Sequence, residues 1–482
     1  AAAYRTFGVD ERSARLGPAL AGIATVAVTL AFGAAAFGGP VGLGAAAVLA
    51  TTPLFFVFAR LAILDVPFTF WLTLACAALY RRLDPVATRS SGWALLAGLA
   101  LAGAVLTKGL AGLVLPLGLG LASTLVERQP GLARRLVAPW LLGLLLPLPW
   151  FLAVEGRVPG FLAHLFLRHH LARFVVGGKI GHAHYPGYLV PIFLGGALPW
   201  TLTVAAGGWR VGLAWWRAPE RRAERWCVLW IVTVLGFFSA SRLQIATYVA
   251  PAFPPLALLA ARLWPQGGGT MLRVWAVAAA CAFILAVLPR DAAQGLLGGV
   301  LHARWWDEAE VLRGLLLPAA GIVTVASLLG VVAFRRGRAG WALAGGAASL
   351  AAGLALIEPA RSAFEGYRAL GGIVRARGGE ADRVVAYGKF LQGLPFYARR
   401  RTVAVGPPSS LEFGVGRADA RHILWSERRL VDAWNGRRRI FLVIRPKDWW
   451  TLRRRLVRPP TVLAAEHGRL LLTNAPLGLP LR

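Results

Sequence analysis

Six residues carry most of the chemistry that this sequence offers: Asp65, Lys108, His170, Arg173, Arg242 and Tyr248. Asp65, in ARLAILDVPFTFW, is a carboxylate set between two apolar runs. An ionisable group there is costly unless it is paired or working. With Val66-Pro67 after it, Asp65 also suits a helix cap, so catalysis, metal binding and capping all stay open. Lys108, in LTKGL, is one of only four lysines and joins two apolar runs. It reads either as a snorkelling interfacial cation or as a compact cation for a lipid phosphate, with Gly109 letting the backbone come close. SRLQIATYVAP (241–251) supplies Arg242, Gln244 and Tyr248. On a helix Gln244 and Tyr248 would share a face; an aromatic-belt Tyr with a snorkelling Arg is the plainer reading. The stretch 155–186 holds five of the eight histidines (164, 169, 170, 182 and 184), among Arg168, Arg173 and Lys179. That density suits metal or phosphate, yet the spacing fits no zinc motif such as HExxH. Arg173 beside Phe174 reads as an interfacial anion clamp.

The elements that must hold these residues are apolar. Of 482 residues 57% are hydrophobic and only 16% charged, where soluble chains carry nearer 25% charge. Soluble, disordered and collagenous classes are excluded. Spanning helices need about 20 mostly apolar residues, and twelve candidates follow: 17–36, 41–59, 66–80, 92–107, 109–126, 136–154, 187–206, 226–241, 245–263, 271–289, 312–333 and 339–357. Basic connections at 80–89, 127–135, 209–225 and 334–338, and the one at 264–270 flanked by Arg262 and Arg273, alternate with less basic ones. The positive-inside rule places them in the cytoplasm, which puts Asp65, Lys108, 155–186 and 241–245 on the outer face. Cys76, Cys227 and Cys281 all lie in apolar runs, so no disulfide framework is expected. GGPVGLG (38–44) lacks the strand that a nucleotide-binding loop follows, and packing of helices through small residues explains it better.

After about residue 360 the composition turns mixed and Arg-rich. RVVAY (383–387), RIFLVI (439–444) and RLLLT (469–473) read as buried strands, with helices near 426–435 and 446–457. The expected organisation is therefore a polytopic α-helical membrane domain over 1–359 and an extracytoplasmic α/β domain over 360–482. The net charge of +31 divides evenly. From residue 360 on there are 24 Lys+Arg against 9 Asp+Glu; before it, 29 against 13. The share before residue 360 is largely an orientation code. The share from 360 on suits anionic headgroups or a polyanionic acceptor, and neither calls for nucleic acid.

Taken together and in order, these segments resemble the GT-C membrane glycosyltransferases that use polyprenyl-phosphate sugars. The nearest branch in pattern is the lipid A aminoarabinose transferases, with bacterial protein O-mannosyltransferase relatives. AILDVPF resembles the family's Asp-bearing turn, LTKGLAGLVLP its MTKG turn, RHHLARF its EHxxRF stretch, and HAHYPGYLVPIFLGGALPW its span start ending in LPW. SRLQIATYVAP resembles the KGKLPTY-like turn, while LPFYARRRTVAV and SSLEFG resemble the outer domain. The resemblance implies that Asp65 belongs to the catalytic acidic set. Lys108, Arg173, Arg242 and Tyr248 would hold the lipid phosphate or shape its cavity, and His170 would help to hold a divalent metal of unspecified identity. It implies no organic cofactor, a monomer, and a place in the bacterial inner membrane with the tail in the periplasm. Two departures stand out: His169 where the pattern has Glu, and Gln244 where it has the second Lys of KGK. The family's opening span, its outer loop with an Asp-Glu pair and its EKP-type stretch have no counterpart here, and are expected upstream of Ala1 together with the main catalytic carboxylate.

The implied reaction is transfer of a sugar from a polyprenyl phosphate carrier to lipid A phosphate. The rivals are transfer to Ser/Thr of an exported protein and, in another class, a flippase or transporter. Transporters carry internal repeats and mid-membrane polar groups; here the ionisable residues sit mostly at span ends.

Overall fold

The structure, a computed structural model, describes residues 2–85, 90–172, 187–287, 304–363, 367–388, 390–406, 422–466 and 468–475. It forms two compact units, Ala1–Ile357 and Glu358–Arg482.

The first unit is helical. Asp10 caps its first long helix, Glu11–Phe37, by accepting from the Ser13 N–H at 2.7 Å. Gly38, with φ of 98°, turns the chain into Gly39–Ala50. The reversal is tight because both strands of it are nearly bare: a Cβ on Gly42 would lie 2.6 Å from the Leu30 carbonyl oxygen, and one on Gly33 2.9 Å from Gly42 Cα. The small residues of GGPVGLG therefore pack helix on helix, as the sequence suggests. Gly267 does the same elsewhere, where a Cβ would sit 2.2 Å from the Thr203 carbonyl oxygen.

Twelve full spans are not what helix length supports. Among the described residues six helices are long and apolar enough to cross a membrane: Glu11–Phe37, Ser91–Lys108, Pro130–Arg157, Trp264–Ile284, Leu317–Arg335 and Ala339–Leu356. Two bent pairs raise the count to eight: Gly39–Ala50 with Pro53–Ala59, bent by 68°, and Leu189–Gly196 with Trp200–Leu213, bent by 98°. Each bend falls at a proline, which cannot continue the ladder of hydrogen bonds. The other four apolar segments differ by charge or length. Asp65–Arg82 and Arg222–Ser239 carry three charges each, Ala111–Val126 has 16 residues, and 245–263 breaks into a 3-10 turn, Ala246–Ala252, and a ten-residue helix, Phe253–Arg262. The molecule is a multi-pass membrane protein of mostly helical build.

In the second unit β1 (Arg383–Tyr387), β2 (Thr402–Val405), β3 (Leu424–Trp425), β4 (Ile440–Ile444), β5 (Thr461–Glu466) and β6 (Arg469–Thr473) form one sheet ordered β3-β2-β1-β4-β6-β5. The first four strands are parallel; β6 and β5 add antiparallel. Every residue of β4 is buried, which is how a central parallel strand with both faces covered reads. Leu430, Trp434, Trp449 and Leu452 cover one face, and Leu370, Val374, Leu394 and Ala398 the other. The three expected strands are present. The sequence reading missed β2, β3 and β5: β2 and β3 have only four and two residues, and β5 is half exposed.

Candidate active site

Asp65 is the first residue of the helix Asp65–Arg82, and Pro67 sits in its first turn, where a missing N–H costs nothing. Lys108 is the last residue of Ser90–Lys108, and Gly109, with φ of 69°, ends that helix. The two helices run antiparallel side by side, so these termini meet. The Lys108 ammonium donates to Asp65 Oδ1 in a short ion pair. Each charge is placed where its helix dipole favours it: the anion at an N-terminus and the cation at a C-terminus. Asp65 makes this contact rather than a capping bond, while its backbone carbonyl accepts from Thr69 Oγ1 at 2.8 Å. The side chains are 16% and 23% exposed, so the pair is largely drawn out of water yet reachable.

Aromatic faces surround the ammonium. Tyr248 lies 4.3 Å from it by ring centroid, Phe68 5.4 Å and Phe238 5.5 Å. Tyr248 and Phe238 are themselves in contact, with centroids 4.5 Å apart. Rings at this range stabilise a cation, more so when it is desolvated. Three of the six sequence candidates, Asp65, Lys108 and Tyr248, thus converge on one spot. The two phenylalanines were not foreseen. Phe68 had a signal, one helical turn beyond Asp65, whereas nothing in the sequence singles out Phe238.

The other candidates fall differently. Arg242 is exposed in the turn that precedes the Tyr248 segment. Gln244 and Tyr248 do not share a helix face, because Gln244 lies in that turn, ahead of the 3-10 helix Ala246–Ala252. Its buried amide instead staples the turn, donating to the Ser239 and Ser241 carbonyls at 3.0 and 3.2 Å. Its carbonyl oxygen is buried without a partner. His170 belongs to a π-helical segment, Ala163–Ala172, but its side chain lies outside the described residues, as do Arg173, Lys179, His182 and His184. Among the described residues no group of three His, Cys, Asp or Glu side chains could hold a metal ion. With Asp65 taken by Lys108, the described donors do not fit a metal site.

A second charged set lies at the ends of Ala111–Val126, Arg222–Ser239 and Phe253–Arg262. Arg225 makes two parallel bonds of 2.8 Å to Glu127 and also donates to the Trp216 and Ala218 carbonyls. Glu224, nearly buried, accepts from Arg262 at 3.1 Å and Arg221 at 3.3 Å. These pairs tie the basic connection 209–225 to the ends of Ala111–Val126 and Phe253–Arg262.

Comparison with known proteins agrees with this architecture. Residues 1–164 match the family model for dolichyl-phosphate-mannose-protein mannosyltransferase, and residues 371–474 the one for the aminoarabinose transferase C-terminal domain. The undecaprenyl phosphate-alpha-4-amino-4-deoxy-L-arabinose arabinosyl transferase 1 of Pseudomonas fluorescens is 34% identical over 199 residues, which are 41% of this chain and 34% of that protein. The corresponding transferase 1 of Sodalis glossinidius is 37% identical over 204 residues, 41% of this chain and 35% of its own length. The matched stretch thus spans about a third of these relatives. The crystal structure of ArnT from Cupriavidus metallidurans bound to undecaprenyl phosphate superposes with a TM-score of 0.81 at 23% identity, over 98% of this chain and 86% of that one. Its apo form gives 0.82. The two family matches fall one in each unit, and along nearly its whole length the chain has the fold of the ArnT structures.

Proposed function

We propose that this chain acts in glycosyl transfer from a polyprenyl (undecaprenyl) phosphate sugar to an acceptor on the periplasmic side, with lipid A phosphate as that acceptor. The observation that carries the reading is the Asp65–Lys108–Tyr248 constellation at one end of the helices. A caged ammonium, partly withdrawn from water, suits a phosphate oxygen on which negative charge develops. In the reaction an acceptor oxygen forms a bond to the sugar's anomeric carbon. The bond from that carbon to the carrier phosphate breaks, and its electron pair leaves with the phosphate. Lys108 stabilises that leaving group. Asp65 fixes the Lys108 ammonium, and the rings of Tyr248, Phe68 and Phe238 keep it from drifting into water. A phosphate acceptor is already ionised and needs no base, whereas a hydroxyl acceptor does. No step is assigned to a metal.

The names of the similar transferases support the undecaprenyl phosphate donor and the aminoarabinose-type sugar. On this reading residues 1–359 are the transferase domain in the inner membrane and residues 360–482 a periplasmic domain. Arg242 and Arg173 complete the donor site, His170 stands as a candidate ligand for a divalent ion, and the chain works as a monomer. Transfer to Ser/Thr of an exported protein is the second reading, favoured by the match of residues 1–164 to the protein mannosyltransferase family.

Mass spectrometry of lipid A from cells with and without the gene for this chain tests the first reading. The expected result is loss of one sugar mass from lipid A in the deletion. Unchanged lipid A together with loss of a sugar from exported proteins would establish the second.

A further inference from the structure

We propose that Gln244 is a positioning residue for the Lys108 site: its amide ties the helix end that carries Phe238 to the turn that leads into Tyr248, and so fixes two of the rings around the ammonium. The consequence for sugar transfer rests on the proposed function of Lys108.

The helix Arg222–Ser239 ends one residue after Phe238. The last carbonyls of a helix have no partner within it, and here the chain folds back to supply them. The Ser241 N–H donates to the Phe238 carbonyl at 3.2 Å. Gln244 Nε2 donates to the Ser239 carbonyl at 3.0 Å and to the Ser241 carbonyl at 3.2 Å. Beyond Gln244 an extended Ile245 leads into Ala246–Ala252, and its carbonyl accepts from the Tyr248 N–H at 2.9 Å. Hydrogen bonds thus run from the backbone of Phe238 to that of Tyr248, and the Gln244 side chain closes the sequence. The rings at its two ends lie 4.5 Å apart, with centroids 5.5 and 4.3 Å from the Lys108 ammonium.

The amide stands only one way round. Turned over, its oxygen would face two carbonyl oxygens with no donor between them. In the orientation observed, Oε1 is buried without a hydrogen-bond partner, on a residue only 5% exposed. An unmatched buried acceptor costs about what two neutral bonds gain. Gln244 therefore adds little to folding; what it supplies is the placement of two rings. Placement matters because attraction between a cation and a ring fades beyond about 6 Å from the centroid, and Phe238 already stands near that limit. A slack turn would let water reach the ammonium.

A lysine could make the same staple. Its ammonium has three donors and no acceptor to leave orphaned, and the C-terminal end of a helix favours a cation. The Gln of this chain and the Lys of the KGK-like pattern are then two versions of one carbonyl clamp, and the departure costs the site no phosphate-binding cation.

The test uses the whole chain in lipid nanodiscs and two readouts. One is reductive methylation of Lys108 by formaldehyde and a borane, read by mass spectrometry with exposed Lys447 as the internal reference. The other is labelled-sugar transfer, with kcat and the donor KM measured separately. Gln244→Met keeps the length and loses the bonds. It should speed methylation of Lys108 about fivefold, as expected for a cation released from its rings. It should lower kcat about tenfold and leave the donor KM nearly unchanged, because the caged charge acts on the leaving phosphate as it develops. Gln244→Lys should recover most of both losses, and the thermal midpoint should move little in either variant. Unchanged methylation and kcat in Gln244→Met overturn the proposal, as does a Gln244→Lys variant no better than Gln244→Met. A thermal midpoint that falls in step with kcat would also overturn it, by marking the amide as structural support alone. A donor KM that rises at constant kcat does the same, by marking Gln244 as a donor-binding group. If the wild type transfers no sugar while Gln244→Met still speeds methylation, the proposed function falls and the positioning role stands.

Discussion

Asp65 and Lys108, 43 residues apart, form an ion pair between the N-terminus of one helix and the C-terminus of its antiparallel neighbour, under the face of Tyr248. The arrangement makes Lys108 the partner of a largely buried acid and, on the proposed function, the cation for the donor phosphate. Lys108→Ala is expected to lower transfer by about a hundredfold or more, the usual effect of deleting one donor to a developing oxyanion. Lys108→Arg should not restore it, since a planar fork does not replace a compact ammonium. Tyr248→Phe keeps the ring and should stay near wild type. Tyr248→Ala should cost about 0.5–2 kcal/mol of transition-state stabilisation. Initial rates of labelled-sugar transfer check all four.

Asp65→Asn separates the two acceptor classes. Removing the charge frees the ammonium and removes a candidate base. Transfer to a protein hydroxyl should be abolished, while transfer to a lipid A phosphate should only weaken, because a phosphate needs no deprotonation. Equal loss on both acceptors would show that Asp65 acts only by positioning Lys108.

Arg225 governs stability rather than chemistry. Its guanidinium, 7% exposed, is held by both oxygens of Glu127. Removing one partner of a buried pair leaves an uncompensated charge, at about 3–5 kcal/mol. Arg225→Ala should therefore lower the thermal midpoint in detergent markedly. Glu127→Gln combined with Arg225→Met should recover part of the loss. Transfer by the surviving folded fraction should be unchanged.

Tyr387 predicts a dependence on alkaline pH. Burial raises its phenol above the usual value, and the charges of Glu427 and Asp448 push in the same direction. The folded state thus resists ionisation that the unfolded chain undergoes near pH 10. The contribution of Tyr387 is present in full below that pH and is lost as pH rises through the raised value. Tyr387→Phe should flatten this part of the stability curve, read by urea unfolding of the full chain between pH 8 and 11.

The sequence alone revealed the membrane class, because apolar runs without charges leave few other solvents for a helix. It also located the second unit, whose strands β1, β4 and β6 are uninterrupted apolar runs, and it singled out Asp65, Lys108 and Tyr248. Ionisable or amphipathic groups at the ends of apolar segments carry a local cost that can be read without a fold. What the sequence could not decide was which segments become full-length helices. Breaks at 51–53 and 197–199 and the 3-10 turn at 246–252 depend on how neighbours accept the freed backbone groups. Nor could it pair Asp65 with Lys108, assign Phe238 to the cage, or turn Gln244 from a helix face into a staple. Each of those is a contact between residues distant in sequence, or a local conformation set by them, and only packing brings the partners within range.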